Sequence, residues 1–209
     1  MSALNNAGAG VIVREIADVI VANRVHLSEI DGQIGDGDHG NNMAKGFARA
    51  AERVEKGDSL DAGFEKLSSV LMAEIGGSMG PLYGMMFSDM ADAISGKDNI
   101  DAAAFGTMLE AGRDGVVAIG SAKVGDKTLL DTLIPAVTAF QEANGDFAAR
   151  LATMKAAAET GRDSTRDLVA RIGRASRLGE RSRGVLDAGA TSCCMILLAL
   201  ADGVSARLD

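Results

Sequence analysis

The sequence predicts an all-α protein, built as an antiparallel up-and-down barrel or bundle of eight helices. Apolar residues recur at helical spacing along the chain, whereas alternating strand patterns are nearly absent. Ala, Leu and Met supply much of the apolar content, and the 209 residues include only two prolines. No Pro- or Ser-rich linker divides the chain. We therefore expect residues 1–209 to form one domain.

The eight helices are predicted from apolar residues three or four positions apart. In chain order the patterns cover 12–20, 43–54, 60–71, 82–90, 105–116, 130–140, 151–158 and 190–201. Asp58-Ser59 and Asp101 stand where they would cap the third and fifth helices. Gly57 and Gly96 stand just past the second and fourth, where a glycine stop is expected.

Four connections between the predicted helices have unusual chemistry. They are residues 31–42, 76–81, 120–127 and 173–189, and they follow the first, third, fifth and seventh helices. Alternate loops of an up-and-down bundle lie at the same end. The four loops are therefore expected to converge on one site at one end of the bundle.

The first of these loops is rich in carboxylates. Asp31, Asp36 and Asp38 lie within eight residues and are separated by glycines. Carboxylates this close repel one another unless a cation lies between them, and hard oxygen ligands suit Mg²⁺ or Ca²⁺. A calcium EF-hand starting at Asp36 would need Gly and Glu where Asn41 and Phe47 stand. The loop thus favours a Mg²⁺ site, with water and phosphate oxygens completing the coordination, over a calcium EF-hand. The alternative without metal is a solvated turn of Asp and Gly residues.

The other loops suggest a place for phosphate. The carboxylate loop and residues 76–81 both run into a helix start, where backbone N–H groups favour anions. His39 could donate to a phosphate, or serve as a local structural hydrogen bonder.

Residues 162–183 hold seven arginines. They form either a solvated basic face, or a face from which one arginine reaches a transferring phosphoryl group. Asp187 is expected to cap the last helix.

Composition narrows the function classes. The net charge of −8 disfavours nucleic-acid binding. No apolar stretch is expected to span a membrane, and no signal peptide is expected at the start, so the expected compartment is the cytoplasm. Cys193 and Cys194 are adjacent in apolar surroundings and are expected to be reduced core thiols.

Taken together, the loop motifs resemble those of the dihydroxyacetone kinase L domain family, over nearly the whole chain. The motifs are Gly35-Asp36-Gly37-Asp38-His39-Gly40, Gly76-Gly77, Gly80-Pro81, Gly125-Asp126-Lys127-Thr128, Gly173-Arg174-Ala175-Ser176, Leu178-Gly179-Glu180-Arg181-Ser182 and Gly189-Ala190-Thr191-Ser192. Two positions depart from the family pattern. Ala188 stands where proline is common, and Met79 stands where Ser or Thr is common.

The resemblance implies a ligand set. Two Mg²⁺ ions would be held by Asp31, Asp36 and Asp38, and Arg174 would stabilise the transferring phosphoryl group. Contacts to ADP or ATP would fall on His39, Gly40, Asn41, Asn42, Ser78, Met79, Gly120, Leu129, Arg174, Asp187, Ala188 and Gly189.

The resemblance also implies an activity and partners. The chain would transfer a phosphoryl group to dihydroxyacetone held covalently on a histidine of a separate K subunit. ADP would be a bound coenzyme recharged by a phosphoenolpyruvate-dependent M subunit. The alternatives are an ATP-dependent subunit for a related ketose such as erythrulose, a nucleotide-sensing scaffold that docks onto a regulator, and a generic metal-binding bundle. A homodimer is possible, and neither nucleic acid nor membrane is an expected partner.

Overall fold

Nine α-helices make up most of residues 2–209, the part of the chain that the computed structural model describes. They are α1 (Val11–Ala22), α2 (Arg24–Ile34), α3 (His39–Arg53), α4 (Leu60–Glu74), α5 (Met79–Ile94), α6 (Ala102–Ile119), α7 (Leu130–Glu142), α8 (Phe147–Ser164) and α9 (Ala188–Ser205). Two 3₁₀ segments, Thr165–Asp167 and Arg174–Ser182, lie between α8 and α9. The predicted all-α class is confirmed.

The helices form a closed ring. From α3 onward each helix packs against the next one in the chain, and α9 returns to pack against α1, which in turn packs against α3. Consecutive helices joined by short connections run antiparallel. The starts of α3, α5, α7 and α9 therefore lie at one end of the ring, and the starts of α4, α6 and α8 at the other.

The helix α2 is the main difference from the sequence prediction, which placed a loop over residues 31–42. Only Asn23 separates α1 from α2, and both helices pack against α3. Leu27, Ile30 and Ile34 are buried on one side of α2 at spacings of three and four. Their burial outweighs the turn preference of the Asp and Gly residues nearby. Asp31 consequently lies in the last turn of a helix.

The far end of the ring is closed by capped helices and a small ribbon. Ser59 Oγ accepts a hydrogen bond from Ala62 N at 3.3 Å, and Asp101 Oδ1 accepts one from Ala104 N at 2.8 Å, as the sequence predicts. There β1 (Ala3–Asn5) pairs antiparallel with β2 (Asn99–Asp101).

Two aromatic clusters fill the core. Phe47 and Phe64 contact Phe87 at ring-centroid distances of 6.1 and 5.2 Å, and all three rings are buried. Phe105 packs in the same way against Phe140 at 5.2 Å. These clusters join α3, α4 and α5 on one side and α6 and α7 on the other. Both clusters thus join neighbouring helices of the ring.

The last helix, α9, corrects one expectation from composition. By length and composition alone, its 18 residues could span a membrane. This differs from the expectation that no stretch would do so. Within the ring, however, 67% of the helix is buried, as in the central helix of a packed core.

Candidate functional site

All four unusual loops line one pocket at the end of the ring where α3, α5, α7 and α9 begin. The pocket has a volume of about 830 Å³. The structure thus brings together residues up to about 160 positions apart, as the alternating helix directions predict. A shallower depression of about 440 Å³ between α1 and α9 contains none of the predicted site residues.

Most of the predicted site residues line this pocket. They are Asp31, Asp36, Asp38, His39, Asn42, Ser78, Met79, Gly120, Leu129, Arg174, Asp187, Ala188 and Gly189. Gly40 and Asn41 are not among the lining residues.

Gly40 and Asn41 instead face α2. A Cβ at Gly40 would overlap the carbonyl oxygen of Arg24 and lie 2.7 Å from Ser28 N, so the bare glycine lets α2 and α3 touch. Asn41 is exposed, and its Oδ1 accepts a hydrogen bond from Arg24 Nη1 at 3.0 Å. Both residues therefore serve the contact that holds α2, and with it Asp31, against the start of α3.

The three carboxylates lie around the short connection from α2 to α3. Asp31 Oδ2 accepts a hydrogen bond from His39 N at 3.2 Å, and Asp36 Oδ1 accepts one from Asp38 N at 3.4 Å. Gly35 allows the Asp31 carboxylate to lie directly against its backbone, since a Cβ there would overlap Asp31 Oδ1. Asp36 Oδ2 forms an ion pair with Arg174, which reaches across from the segment before α9.

These residues suit a hard divalent cation in their chemistry. All three offer carboxylate oxygens to one pocket, and the Arg174 guanidinium already places a positive charge against Asp36. Among residues 2–209, however, no three acidic, His or Cys side chains are grouped as ligands of one ion. Asp36 is paired with Arg174 in this arrangement.

Two of the helix starts at the pocket, those of α3 and α5, differ from the helix starts at the far end. At the far end, side chains of Ser59, Asp101 and Asp146 cap α4, α6 and α8. Within the described chain, the residues before α3 and α5, Asp38 and Ser78, accept no capping hydrogen bond through their side chains. In α3 the first N–H group, that of His39, donates to Asp31, and the N–H groups that follow it in the first turn favour an anionic ligand, as do those at the start of α5.

A buried polar chain lies beneath the pocket. His39 Nε2 is 2.9 Å from Ser192 Oγ, and Tyr83 Oη is 2.7 Å from the same oxygen. Burial lowers the pKa of His39 to about 4, so the imidazole is neutral near pH 7. Burial also raises the pKa of Asp187 to about 6, while its Oδ2 caps α9 through Ala190 N at 2.7 Å.

Sequence reasoning assigned no role to several residues that shape this site. Tyr83 and Ser192 orient His39. The only available signal for Tyr83 was that it is the single tyrosine of the chain. Lys127 is buried and lines the pocket, and Asp131 accepts hydrogen bonds from Gly125 N and Thr128 N. Lys127 stands in one of the family motifs, but a motif does not show which groups the lysine contacts. Nothing in the sequence singles out Asp131, because its partners are backbone groups.

Comparisons with known proteins identify the family of this chain. The model of the DAK2 domain matches residues 33–202. The chain is 35% identical over 189 residues to the PEP-dependent dihydroxyacetone kinase, ADP-binding subunit DhaL, of Escherichia coli (strain K12), covering 88% of this chain and 90% of that protein. It is 33% identical to the L-erythrulose kinase of Pectobacterium atrosepticum, covering 92% of this chain and 33% of that protein.

A solved structure shares the fold. The dihydroxyacetone kinase from C. freundii in complex with AMP-PNP and Mg²⁺ superposes with a TM-score of 0.67 at 24% identity. The match covers 93% of this chain and 33% of that one, so this chain spans about a third of that protein.

Proposed function

Because the chain belongs to the DAK2 domain family, we propose that it is the ADP-binding subunit of a dihydroxyacetone kinase. It transfers a phosphoryl group from bound nucleotide to dihydroxyacetone held on a partner K subunit. Relatives named as ADP-binding subunits match it over about 90% of their own length. The observation that carries the proposal is the convergence of three carboxylates and two uncapped helix starts on one pocket.

The carboxylates are proposed to hold two Mg²⁺ ions. Asp31, Asp36 and Asp38 supply the hard oxygen ligands that this ion prefers. Bound by these residues, the ions would supply positive charge that neutralises the phosphates of the nucleotide. The hydrogen bond from His39 N to Asp31 orients one carboxylate toward the pocket before any ion arrives.

The nucleotide is proposed to lie along the four helix starts. The first turns of α3 and α5 present backbone N–H groups to the phosphates, with Ser78 and Met79 at the start of α5. Leu129 and Met79 add apolar surface for the base and ribose. Ala188 is the first residue of α9, a position that accepts alanine as readily as proline, so this departure from the family pattern leaves the loop intact.

Arg174 is proposed as the catalytic residue. Its guanidinium is the cation nearest the carboxylate loop, where it pairs with Asp36. If Asp36 were a metal ligand, Arg174 would be free to bind oxygens of the transferring phosphoryl group. His39 is not suited to act as a base at neutral pH, because its pKa is about 4 and its Nε2 bonds Ser192. Activation of the ketose is therefore assigned to the K subunit.

The donor is proposed to be phosphoenolpyruvate, acting through an M subunit that recharges ADP bound here. This rests on relatives whose names are PEP-dependent or PTS-dependent. The second candidate is direct use of ATP toward erythrulose, which relatives named erythrulose kinases favour. A cytoplasmic location follows from the proposed partners, and a homodimer stays a prediction.

Calorimetry of ADP binding with and without Mg²⁺ tests the proposal. We expect tight binding that requires Mg²⁺ and is lost in Asp36→Asn, but is unchanged in Asp114→Asn, which removes an exposed carboxylate elsewhere on α6. Absence of magnesium-dependent ADP binding in the wild type would overturn the proposal.

A reconstituted mixture with K and M subunits separates the candidate functions. Product formation from phosphoenolpyruvate with substoichiometric ADP supports the coenzyme mechanism. Turnover with K and ATP alone supports the second candidate. Turnover that is unchanged by Asp36→Asn favours a scaffold that senses nucleotide.

A further inference from the structure

Lys127 is a buried lysine whose bonds all run to one neighbouring segment. We define the arginine segment as residues 165–187, which connect α8 to α9 and contain Arg174 and Asp187. The Lys127 side chain is 2% exposed. Its Nζ donates to the carbonyl oxygens of the segment at Thr165 (2.7 Å), Leu168 (3.2 Å), Ser182 (2.7 Å) and Val185 (2.5 Å).

These bonds use the whole donor capacity of the ammonium. A lysine has three N–H protons and no acceptor, and here four carbonyl oxygens surround it. None is left for a phosphate oxygen, although Lys127 lines the pocket. Any effect of Lys127 on a nucleotide therefore passes through the arginine segment.

The loop that carries Lys127 is held by hydrogen bonds to one carboxylate. Asp131 accepts hydrogen bonds from Gly125 N at 2.5 Å and Thr128 N at 2.7 Å, on either side of the lysine. Lys127 has a φ of 65°, a left-handed conformation that a non-glycine residue adopts only when its surroundings impose it. Asp131 thus aims the lysine at the arginine segment.

Most other bonds of the arginine segment close it on itself. Ser182 Oγ accepts from Ala170 N at 2.9 Å, Asp187 N donates to Thr165 Oγ1 at 3.0 Å, and Gly184 N donates to Arg166 O at 2.8 Å. Lys127 binds carbonyls at both the beginning and the end of the segment. It therefore joins the two halves of the segment to the loop before α7.

We propose that Lys127 is a positioning residue, which holds the arginine segment over the pocket so that Arg174 and Asp187 face the nucleotide. The proposal rests on the proposed function for its nucleotide part. The attachment of the segment by Lys127 can be tested without nucleotide.

The first test is limited trypsin digestion of Lys127→Met without nucleotide, with Lys123→Met as the matched control. Lys123 is exposed in the same loop, and its loss removes an equal charge. We expect Lys127→Met to be cut between Arg171 and Arg183 at least about tenfold faster than wild type, with cooperative unfolding retained, because local opening exposes only that segment. Unchanged digestion in Lys127→Met overturns the proposal.

The second test is a double-mutant cycle on ADP affinity with Mg²⁺. If the arginine segment of Lys127→Met covers the pocket only a tenth of the time, the dissociation constant of this variant for ADP rises about tenfold. Adding Arg174→Ala to Lys127→Met should change affinity by less than about twofold, because Arg174 has already lost its place. If the fold-change in affinity of the double variant equals the product of the two single-variant fold-changes, Lys127 acts independently of Arg174. That result overturns the proposal.

Two further outcomes have a defined meaning. If Lys127→Met does not fold, Lys127→Gln, which keeps two donors, replaces it and should give intermediate effects. If neither variant folds, Lys127 supports the whole bundle and the local role is wrong. If wild type binds no ADP, the proposed function fails, while the digestion without nucleotide still decides whether Lys127 holds the segment.

Discussion

The buried imidazole of His39 should make the stability of the protein depend on pH. His39 is 8% exposed, and burial lowers its pKa from 6.5 to about 4. The perturbation is His39→Gln, which keeps a polar group near Ser192 Oγ but cannot titrate. The difference in free energy of unfolding between wild type and variant then isolates the proton on His39.

The sign and size of this effect follow from proton linkage. Below pH 6.5 the unfolded chain binds a proton at His39, whereas the folded protein does so only near pH 4. The contribution of neutral His39 is therefore fully present above pH 6.5 and is lost as the pH falls to about 4. A shift of about 2.5 pH units at about 1.4 kcal/mol per unit amounts to about 3 kcal/mol.

Asp187 should act in the opposite direction over the same range. Burial raises its pKa from 3.8 to about 6, so ionisation of Asp187 costs the folded state more than the unfolded chain. Its contribution to stability is fully present below pH 3.8 and is lost as the pH rises through 6. The two effects partly cancel in the wild type, so single variants are needed to see either one.

Urea unfolding of wild type, His39→Gln and Asp187→Asn between pH 4.5 and 6.5, with EDTA present, measures both effects. The free energy of unfolding of His39→Gln should rise relative to that of the wild type by up to about 1.4 kcal/mol for each pH unit of acidification. The free energy of unfolding of Asp187→Asn should rise relative to that of the wild type as the pH rises. A wild-type minus His39→Gln difference that does not vary with pH would refute the reasoning, since His39 would then titrate normally in the folded protein.

Three other changes have expected outcomes. Gly40→Ala should lower the free energy of unfolding by about 3 kcal/mol in urea, because a methyl group there overlaps the Arg24 carbonyl; the control Gly76→Ala should have little effect, since no described atom lies within 4 Å of its Cβ position. Ser59→Ala should lower it by about 1 kcal/mol through loss of the α4 cap, and an unchanged urea midpoint would contradict this. Cys193 and Cys194 should react with a thiol reagent only after unfolding, because both are buried and burial raises the pKa of both thiols, to about 11 for Cys194; rapid labelling of the native protein would be the contrary result.

The helical class and the meeting of the four loops could be predicted because both depend on local information. Apolar spacing sets which stretches are helical, and the alternation of helix direction sets which loops share an end. The second helix, α2, escaped prediction for the same reason. Asp31 and Gly32 favour a turn locally, and only the packing of Leu27 and Ile34 against neighbouring elements keeps them helical.

Within α3, the resemblance named a run of four residues, but the helix turns only some of them to the pocket. His39 and Asn42 are three positions apart and share the pocket face, whereas Gly40 and Asn41 point toward α2. A motif gives residue types in order. Their directions follow from a turn of 3.6 residues and from the helix packed alongside.

The sequence by itself determined the all-α class, the end of the bundle where the site lies and the carboxylates that line it. The tertiary structure decided the ion pair between Asp36 and Arg174, the hydrogen bond between His39 and Ser192, and the four carbonyls around Lys127. Those partners lie between 38 and 153 positions away along the chain. Many of the acceptors are backbone oxygens, which every residue carries alike, so only the folded path of the chain selects them.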